Sequence, residues 1–334
     1  MLDWFLELKT NGVADVLKMP PKLPNELVDA IISSVPESSR WVSTEDKQTL
    51  LSCTLVSRDW LPASRHLLFS EVVLTRPTVW DSFVRWVVDA EQGRPWLASI
   101  HHLTFKDKWY YSRSRGKDIP AEPISGWRGQ YVVPVLAGRL PNLGSLSLCV
   151  DWAQCEPHPS TFGMFAQFPS LRELNLSSCH FPSFSAFRRV IVSLPALKDL
   201  ACMEVHWKSA PQPSILAVQT RQPTLEILRI SLPCRCCTLA FLEWLTHTPT
   251  RSSLVELDLH PGWSIPSQHQ ISLIGRNLNY YTQVFGPSLR RVTLNQSEIN
   301  NDVAGKDMLF FSVIARRIDH GASDLSQGFL IQLP

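Results

Sequence analysis

The feature that most constrains this chain is a recurring phrase, Pro-x-Leu-x-x-Leu-x-Leu. It occurs at residues 141–148, 169–176, 195–202 and 223–230, with Cys202 and Ile230 in the last position of two copies. Looser copies lie at 254–259 and 287–294, and 72–74 and 100–105 supply the strand part upstream. The sixth position gives the series Val72, Leu103, Leu146, Leu174, Leu200, Leu228, Leu257 and Val292, with steps of 31, 43, 28, 26, 28, 29 and 35 residues. Leu-x-Leu alternation turns two side chains to one face of a short strand. The Leu three residues earlier turns the chain inward where that strand begins. Between the strands, Trp80, Phe83, Val84, Val87 and Val88 keep the spacing of an amphipathic helix, as do Phe187, Val190, Ile191 and Leu194. Ile271, Ile274, Leu278, Tyr281 and Phe285 follow it more loosely. A single strand–helix unit cannot bury its apolar face, so such units must stack on one another. A last helix, Met308 to Ile318 with Phe310, Val313 and Ile314 inward, is expected to cap the stack. Residues 319–334 are expected to fray as a tail.

The chain has 334 residues, and 44% of them are hydrophobic, as in an ordered globular protein. Its 32 Lys and Arg nearly balance 30 Asp and Glu, so bulk charge gives no reason to expect a nucleic-acid or anionic-membrane partner. The start, Met1-Leu2-Asp3-Trp4-Phe5-Leu6-Glu7, carries acids where a signal peptide carries basic residues, and no apolar run has the length of a spanning helix. A cytoplasmic or nuclear location is expected. In that setting Cys53, Cys149, Cys179 and Cys202, each among apolar neighbours, read as small buried hydrophobes rather than as a disulfide framework.

Residues 1–20 read as a helical extension, and residues 21–70 as a small all-α module. Pro24 suits the first turn of a helix and Glu26 its positive end. Leu27, Ile31 and Val35 repeat at i, i+4 and i+8, with Val28 and Ile32 beside them, and Pro36 ends the helix. Residues 36–46 are polar and turn-forming, and Ser43-Thr44-Glu45-Asp46 supplies a cap and acids for a second helix, Lys47 to Asp59. Leu51, Leu55, Val56 and Trp60 are expected on one side of it, and Pro62 permits a third helix with Leu67 and Leu68 inward. So small a bundle has little core of its own and gains stability by docking.

Leu23-Pro24-x-Glu26-Leu27-x-x-x-Ile31, followed by Leu50-Leu51-x-Cys53-x-Leu55-Val56-Ser57-Arg58-x-Trp60, resembles the F-box motif. The continuation through Phe69 is similar to a form common in large fungal F-box families. The stretch 36–46 is longer than the family's usual connection between its first two helices. The resemblance implies that Leu23, Pro24, Leu27, Ile31, Leu51, Leu55, Val56 and Trp60 pack against a small Skp-family adaptor, which in turn holds a cullin. On the residues alone, Leu27, Ile31 and Leu55 serve equally well to hold the bundle together. Residues 71–318 resemble the irregular leucine-rich repeats that often follow an F-box, in about eight units. The implied fold is an α/β leucine-rich-repeat-like solenoid of short parallel strands and helices, preceded by the three-helix module.

The 43-residue step contains an insertion in which Trp109, Tyr110 and Tyr111 stand beside Arg113 and Arg115. Aromatics and Arg on a loop are the residue types of binding hot spots, so these five are candidate contacts for a target protein. Cys234-Arg235-Cys236-Cys237 invites a metal reading with His247 or His206, but it lacks the paired spacing of zinc ligands, so no metal or other cofactor is expected. Gly305-Lys306-Asp307 lacks the rest of a phosphate loop, and Gly286-Pro287-Ser288-Leu289-Arg290 has Arg where a nucleophile elbow needs Gly. His101-His102 reads as a solvated or capping pair. By resemblance, then, the chain is a non-catalytic adaptor subunit of a ubiquitin ligase, carrying a target protein on its repeats. The alternatives are a repeat scaffold that works without a cullin, and a hydrolase using a Ser or Cys on a loop.

Overall fold

The computed structural model describes residues 23–36, 43–106, 129–155, 157–209, 222–231, 235–259, 284–286, 288–296, 311–316 and 330–331. The chain divides into two compact units between Leu68 and Phe69.

The first unit holds helices α1 (Asn25–Ser33), α2 (Thr44–Val56) and α3 (Leu61–Leu68). Pro24 precedes α1, and its carbonyl accepts from the amides of Leu27 and Val28. Helix α2 starts and ends three residues earlier than the sequence suggests, because Ser43 closes a capping box. Its Oγ accepts from the Asp46 amide at 3.0 Å, and Asp46 Oδ2 accepts from the Ser43 amide at 2.9 Å. Val28, Ile32 and Leu50 form the core, with Val35, Trp60, Ala63, Leu67 and Leu68 packed around them.

The second unit is α/β, built on a mostly parallel sheet. Its strands are β1 (Glu71–Leu74), β2 (His102–Lys106), β3 (Ser145–Cys149), β4 (Glu173–Ser177), β5 (His180–Phe181), β6 (Asp199–Met203), β7 (His206–Trp207), β8 (Ile227–Ser231), β9 (Glu256–Leu259), β10 (Arg291–Gln296), β11 (Phe311–Arg316) and β12 (Leu330–Ile331). The main sheet runs β1-β2-β3-β4-β6-β8-β9-β10-β11-β12, and β5 pairs with β7 separately. All pairings from β1 to β10 are parallel.

The register aligns the series read from the sequence. Val72, Leu103, Leu146, Leu174, Leu200, Leu228, Leu257 and Val292 stand opposite one another across eight strands. Two residues on, Leu74, Phe105, Leu148, Leu176, Cys202, Ile230 and Leu259 form a second apolar column. Three residues before the first column lie Ile100, Leu143, Leu171, Leu197, Leu225, Leu254 and Leu289, all buried. The backbone repeats with the same regularity where the strands begin. Ser70, His101, Gly144, Arg172, Lys198, Glu226 and Val255 each offer one carbonyl that accepts two consecutive amides of the next strand. Pairing the backbone this way leaves no orphaned polar group at the mouth of each strand.

Helices cover the apolar side of the sheet. They are α4 (Pro77–Phe83), running on into a π-helical turn at Val84–Val88, then α5 (Arg94–Leu97), α6 (Gly129–Leu136), α7 (Trp152–Cys155), α8 (Phe184–Val192) and α9 (Arg235–Thr246). A 3-10 segment spans Pro159–Gln167. Trp80 and Phe83 pack into one core with the strand columns, as expected of the first helical spacing. Phe187, Val190, Ile191 and Leu194 do the same for α8. Aromatic rings knit the middle of this core: Trp152 lies 4.8 Å from Phe181, and Phe187 lies 5.2 Å from Phe241, centroid to centroid.

The C-terminal expectation is overturned. Residues 311–316 form not a capping helix but strand β11, antiparallel to β10 from Arg291↔Arg316 to Gln296↔Phe311. Adjacent Val313 and Ile314 lose rotamer freedom in a helix and suit a strand, and β10 offers a backbone edge to pair with. Within the expected tail, Leu330–Ile331 pairs with Ala315 and Arg316. The helical extension at 1–20 lies outside the described residues, as does most of the helix expected from Ile271.

The two faces of the sheet make separate predictions. Leu200→Ala, at a fully buried column position, should lower unfolding free energy by about 2–5 kcal/mol. Asn175→Ala, exposed on the opposite face, should change it by less than about 0.5 kcal/mol. Denaturant titration of both variants measures the contrast.

Candidate functional site

Helices α1 and α2 each carry apolar residues on more than one side. On α1, Val28, Ile32 and Val35 fall at i, i+4 and i+7 and turn inward. Leu27 and Ile31 fall at i and i+4 on the adjoining flank, 51% and 42% exposed, and Leu23, two residues before the helix, is 44% exposed. On α2, Leu50 and Cys53 are buried while Leu51, Leu55 and Val56 are 51%, 69% and 62% exposed. At about 100° per residue, Leu51 and Leu55 point away from the side that Leu50 and Cys53 bury. Among the described residues of the unit, six large aliphatic side chains are thus exposed, against three buried at the centre of its core.

Of the residues singled out in the sequence, Leu23, Pro24, Leu27, Ile31, Leu51, Leu55 and Val56 are therefore all exposed. Trp60 is not among them: it is half-buried and packs on the unit's own core. Trp109, Tyr110, Tyr111, Arg113 and Arg115 lie outside the described residues.

Two arrangements in the second unit were not read from the sequence. The sheet face opposite the apolar columns carries a row running Val73, Thr104, Ser147, Asn175, Ala201, Arg229, Asp258 and Thr293. Within it, Arg229 Nη1 donates to both carboxylate oxygens of Asp199, at 2.7 and 3.0 Å, and Arg229 Nε lies 3.7 Å from Asp258. One strand further, Arg291 pairs with Glu256. The residues concerned occupy the x of Leu-x-Leu and its neighbours, so their alternation with the columns was the available signal.

The second arrangement is a cavity of about 290 Å³ beside β5 and β7, lined by Asp151, Ala153, Gln154, His180, Phe181, His206, Trp207 and Lys208. Asp151 caps α7 by accepting from the Gln154 amide at 3.0 Å, and its other oxygen lies 3.3 Å from His180 Nδ1. The His180 and His206 rings lie 4.8 Å apart. Burial by itself would raise the Asp151 carboxyl; its hydrogen bond to His180, the charge on that ring and the backbone amides overcome this and hold it below its usual value. The pair has the form of a base and its orienting group, and among the described lining residues none carries a hydroxyl or thiol.

Cys53, Cys149, Cys179 and Cys202 are buried free thiols, as their neighbours in sequence suggest. Burial pushes the Cys179 and Cys202 thiols up, opposite to an activated nucleophile. Cys237 is disulfide-bonded. Among the described residues no group of three or more His, Cys, Asp or Glu is arranged to hold a metal, and no helix is long and apolar enough to cross a membrane. Comparison of the chain with protein-family models and with curated proteins gives no match.

Because the Asp151 carboxyl is depressed in the folded state, its contribution to stability is present above its unfolded value and lost as pH falls through the folded one. Asp151→Asn should therefore lower Tm at about pH 6, with the difference narrowing as pH falls below about 4 and gone only below the depressed folded value, where both states carry the proton. Thermal melts of both proteins across that range measure it.

Proposed function

We propose that the chain is the substrate-recognition subunit of a Skp–cullin–F-box type ubiquitin ligase. The observation that carries this reading is a coincidence of two independent lines. The F-box resemblance nominates Leu23, Pro24, Leu27, Ile31, Leu51, Leu55, Val56 and Trp60 for adaptor contact, and all but Trp60, which packs on the unit's own core, are exposed. Six of the nominated residues, Leu23, Leu27, Ile31, Leu51, Leu55 and Val56, are the large aliphatic side chains exposed among the described residues of the first unit, while Val28, Ile32 and Leu50 fill its core. Aliphatic anchors on short helices suit a partner with an apolar groove. Leu27, Ile31 and Leu55, which on sequence served equally well as bundle core, are free for that contact.

In this reading the second unit is a leucine-rich-repeat solenoid of about eight units, and it presents a target protein. The aligned columns and the doubled carbonyls at the strand starts support a repeat built from one unit again and again. The polar sheet face with its Asp199–Arg229–Asp258 set offers a broad, charged surface suited to protein recognition. Catalysis belongs to other subunits, and this chain supplies proximity and orientation.

Leu27→Asp combined with Leu55→Asp separates binding from folding, because both side chains are exposed. The double variant should keep the Tm of the parent and lose at least about a hundredfold in affinity for a Skp-family adaptor, as expected when central anchors are removed. Ile32→Asp, in the core, should unfold the module. Pull-down with a purified adaptor and circular dichroism together test this. Undiminished binding by the double variant, or no binding by the parent chain, would overturn the reading.

A further inference from the structure

A second cavity, of about 420 Å³, opens beside the π-helical turn and is lined by Val88, Asp89, Arg94, Leu97 and Arg139. Three local features of the chain build it. Gly138 takes a left-handed conformation (φ 73°) just after α6, and this turns Arg139 back toward the π-helical turn. Gly93 lies so close to that turn that a Cβ there would meet the Val87 carbonyl oxygen at 2.5 Å, which fixes where the following Arg94 stands. The turn itself carries one residue more than an α-helical turn, a distortion that recurs at functional sites. Val88 and Leu97, both buried, give the cavity an apolar floor.

The two arginines differ in what holds them. Arg139 is anchored by Nη1 alone, which donates to the Val88 carbonyl at 3.1 Å and to Asp89 Oδ1 at 3.3 Å. Its Nε and Nη2 have no partner among the described residues, and these are the two parallel donors that a guanidinium offers to a carboxylate or phosphate. Arg94 has neither an ion pair nor a hydrogen bond from its side chain among the described residues. Among the described lining residues Asp89 is the one acid against two arginines, which leaves a net positive charge and an unused donor fork above apolar carbon.

We propose that this cavity is an anion site that takes a carboxylate or phosphate group carried on a short apolar stem. The Nε–Nη2 edge of Arg139 receives two oxygens of the anion side-on. Arg94 supplies the second charge, and the stem rests on Val88 and Leu97. The anchoring of Arg139 by Val88 and Asp89 orients its fork before the ligand arrives, which reduces the ordering cost of binding.

Calorimetric titration of the full chain at low salt with phenyl phosphate, and separately with phenylacetate, tests the proposal and distinguishes the two sources of charge. At least one probe should bind saturably at one site, with a Kd of about 1 mM or tighter. Arg94→Ala should weaken that binding about tenfold, and so should Arg139→Lys, which keeps the charge but loses the fork. Melting curves check that the variants fold, and Arg94, being exposed, supplies the variant least able to disturb the core. Saturation by neither probe, or unchanged affinity in a folded Arg94→Ala chain, would overturn the assignment.

Discussion

The second unit depends on one constraint: each strand must meet the next in a register that brings apolar residue opposite apolar residue. Slipping a strand by one position would turn its columns to the polar face and bring the polar row into the core. The doubled carbonyl acceptors reinforce the same choice, since each is positioned two residues before a column residue and takes two amides of its neighbour. Side-chain burial and backbone pairing thus select the same alignment, unit after unit. The helices then have a continuous apolar floor to pack on, and aromatic rings join one strand–helix segment to the next, Trp152 to Phe181 and Phe187 to Phe241, while Phe181 and Phe187 meet within a single segment.

What could be read from the sequence follows from how local each constraint is. The three apolar columns were legible because strand alternation, repeated eight times, and the preceding Leu or Ile, repeated seven times, are short-range patterns. Their alignment in space was implied by the repetition itself. The orientation of α1 and α2 was not legible. Leu27 beside Val28, and Leu50 beside Leu51, offer apolar residues on two sides of a helix, and only the position of the third helix decides which side turns inward. The inward choice falls on Val28, Ile32 and Leu50, so the stripe that seemed most regular, Leu27 with Ile31, faces outward.

Residues 311–316 failed for a related reason. Phe310, Val313 and Ile314 have helical spacing, but the same residues are good strand formers, and pairing with β10 settles the competition. Arg229 with Asp199 and Asp258, and Asp151 with His180, were out of reach because their partners lie about one repeat away in the chain. Each is a contact between residues about thirty positions apart in the chain, brought together by the parallel pairing of neighbouring strands. Arg139 meeting Val88 and Asp89 is likewise a contact between distant parts of the chain, α6 and the turn after α4.

The unequal steps of the series have a consequence for how such a chain can change. Leu103 and Leu146 are 43 residues apart and Leu174 and Leu200 only 26, yet both pairs stand directly opposite in neighbouring strands. Alignment is therefore indifferent to how much chain intervenes, and doubling a flexible connection costs only about 0.6 kcal/mol in closure entropy. Material can be added between two strands without disturbing the strands on either side. A molecule built this way can acquire a new surface by lengthening one connection, and keep its core while it does so.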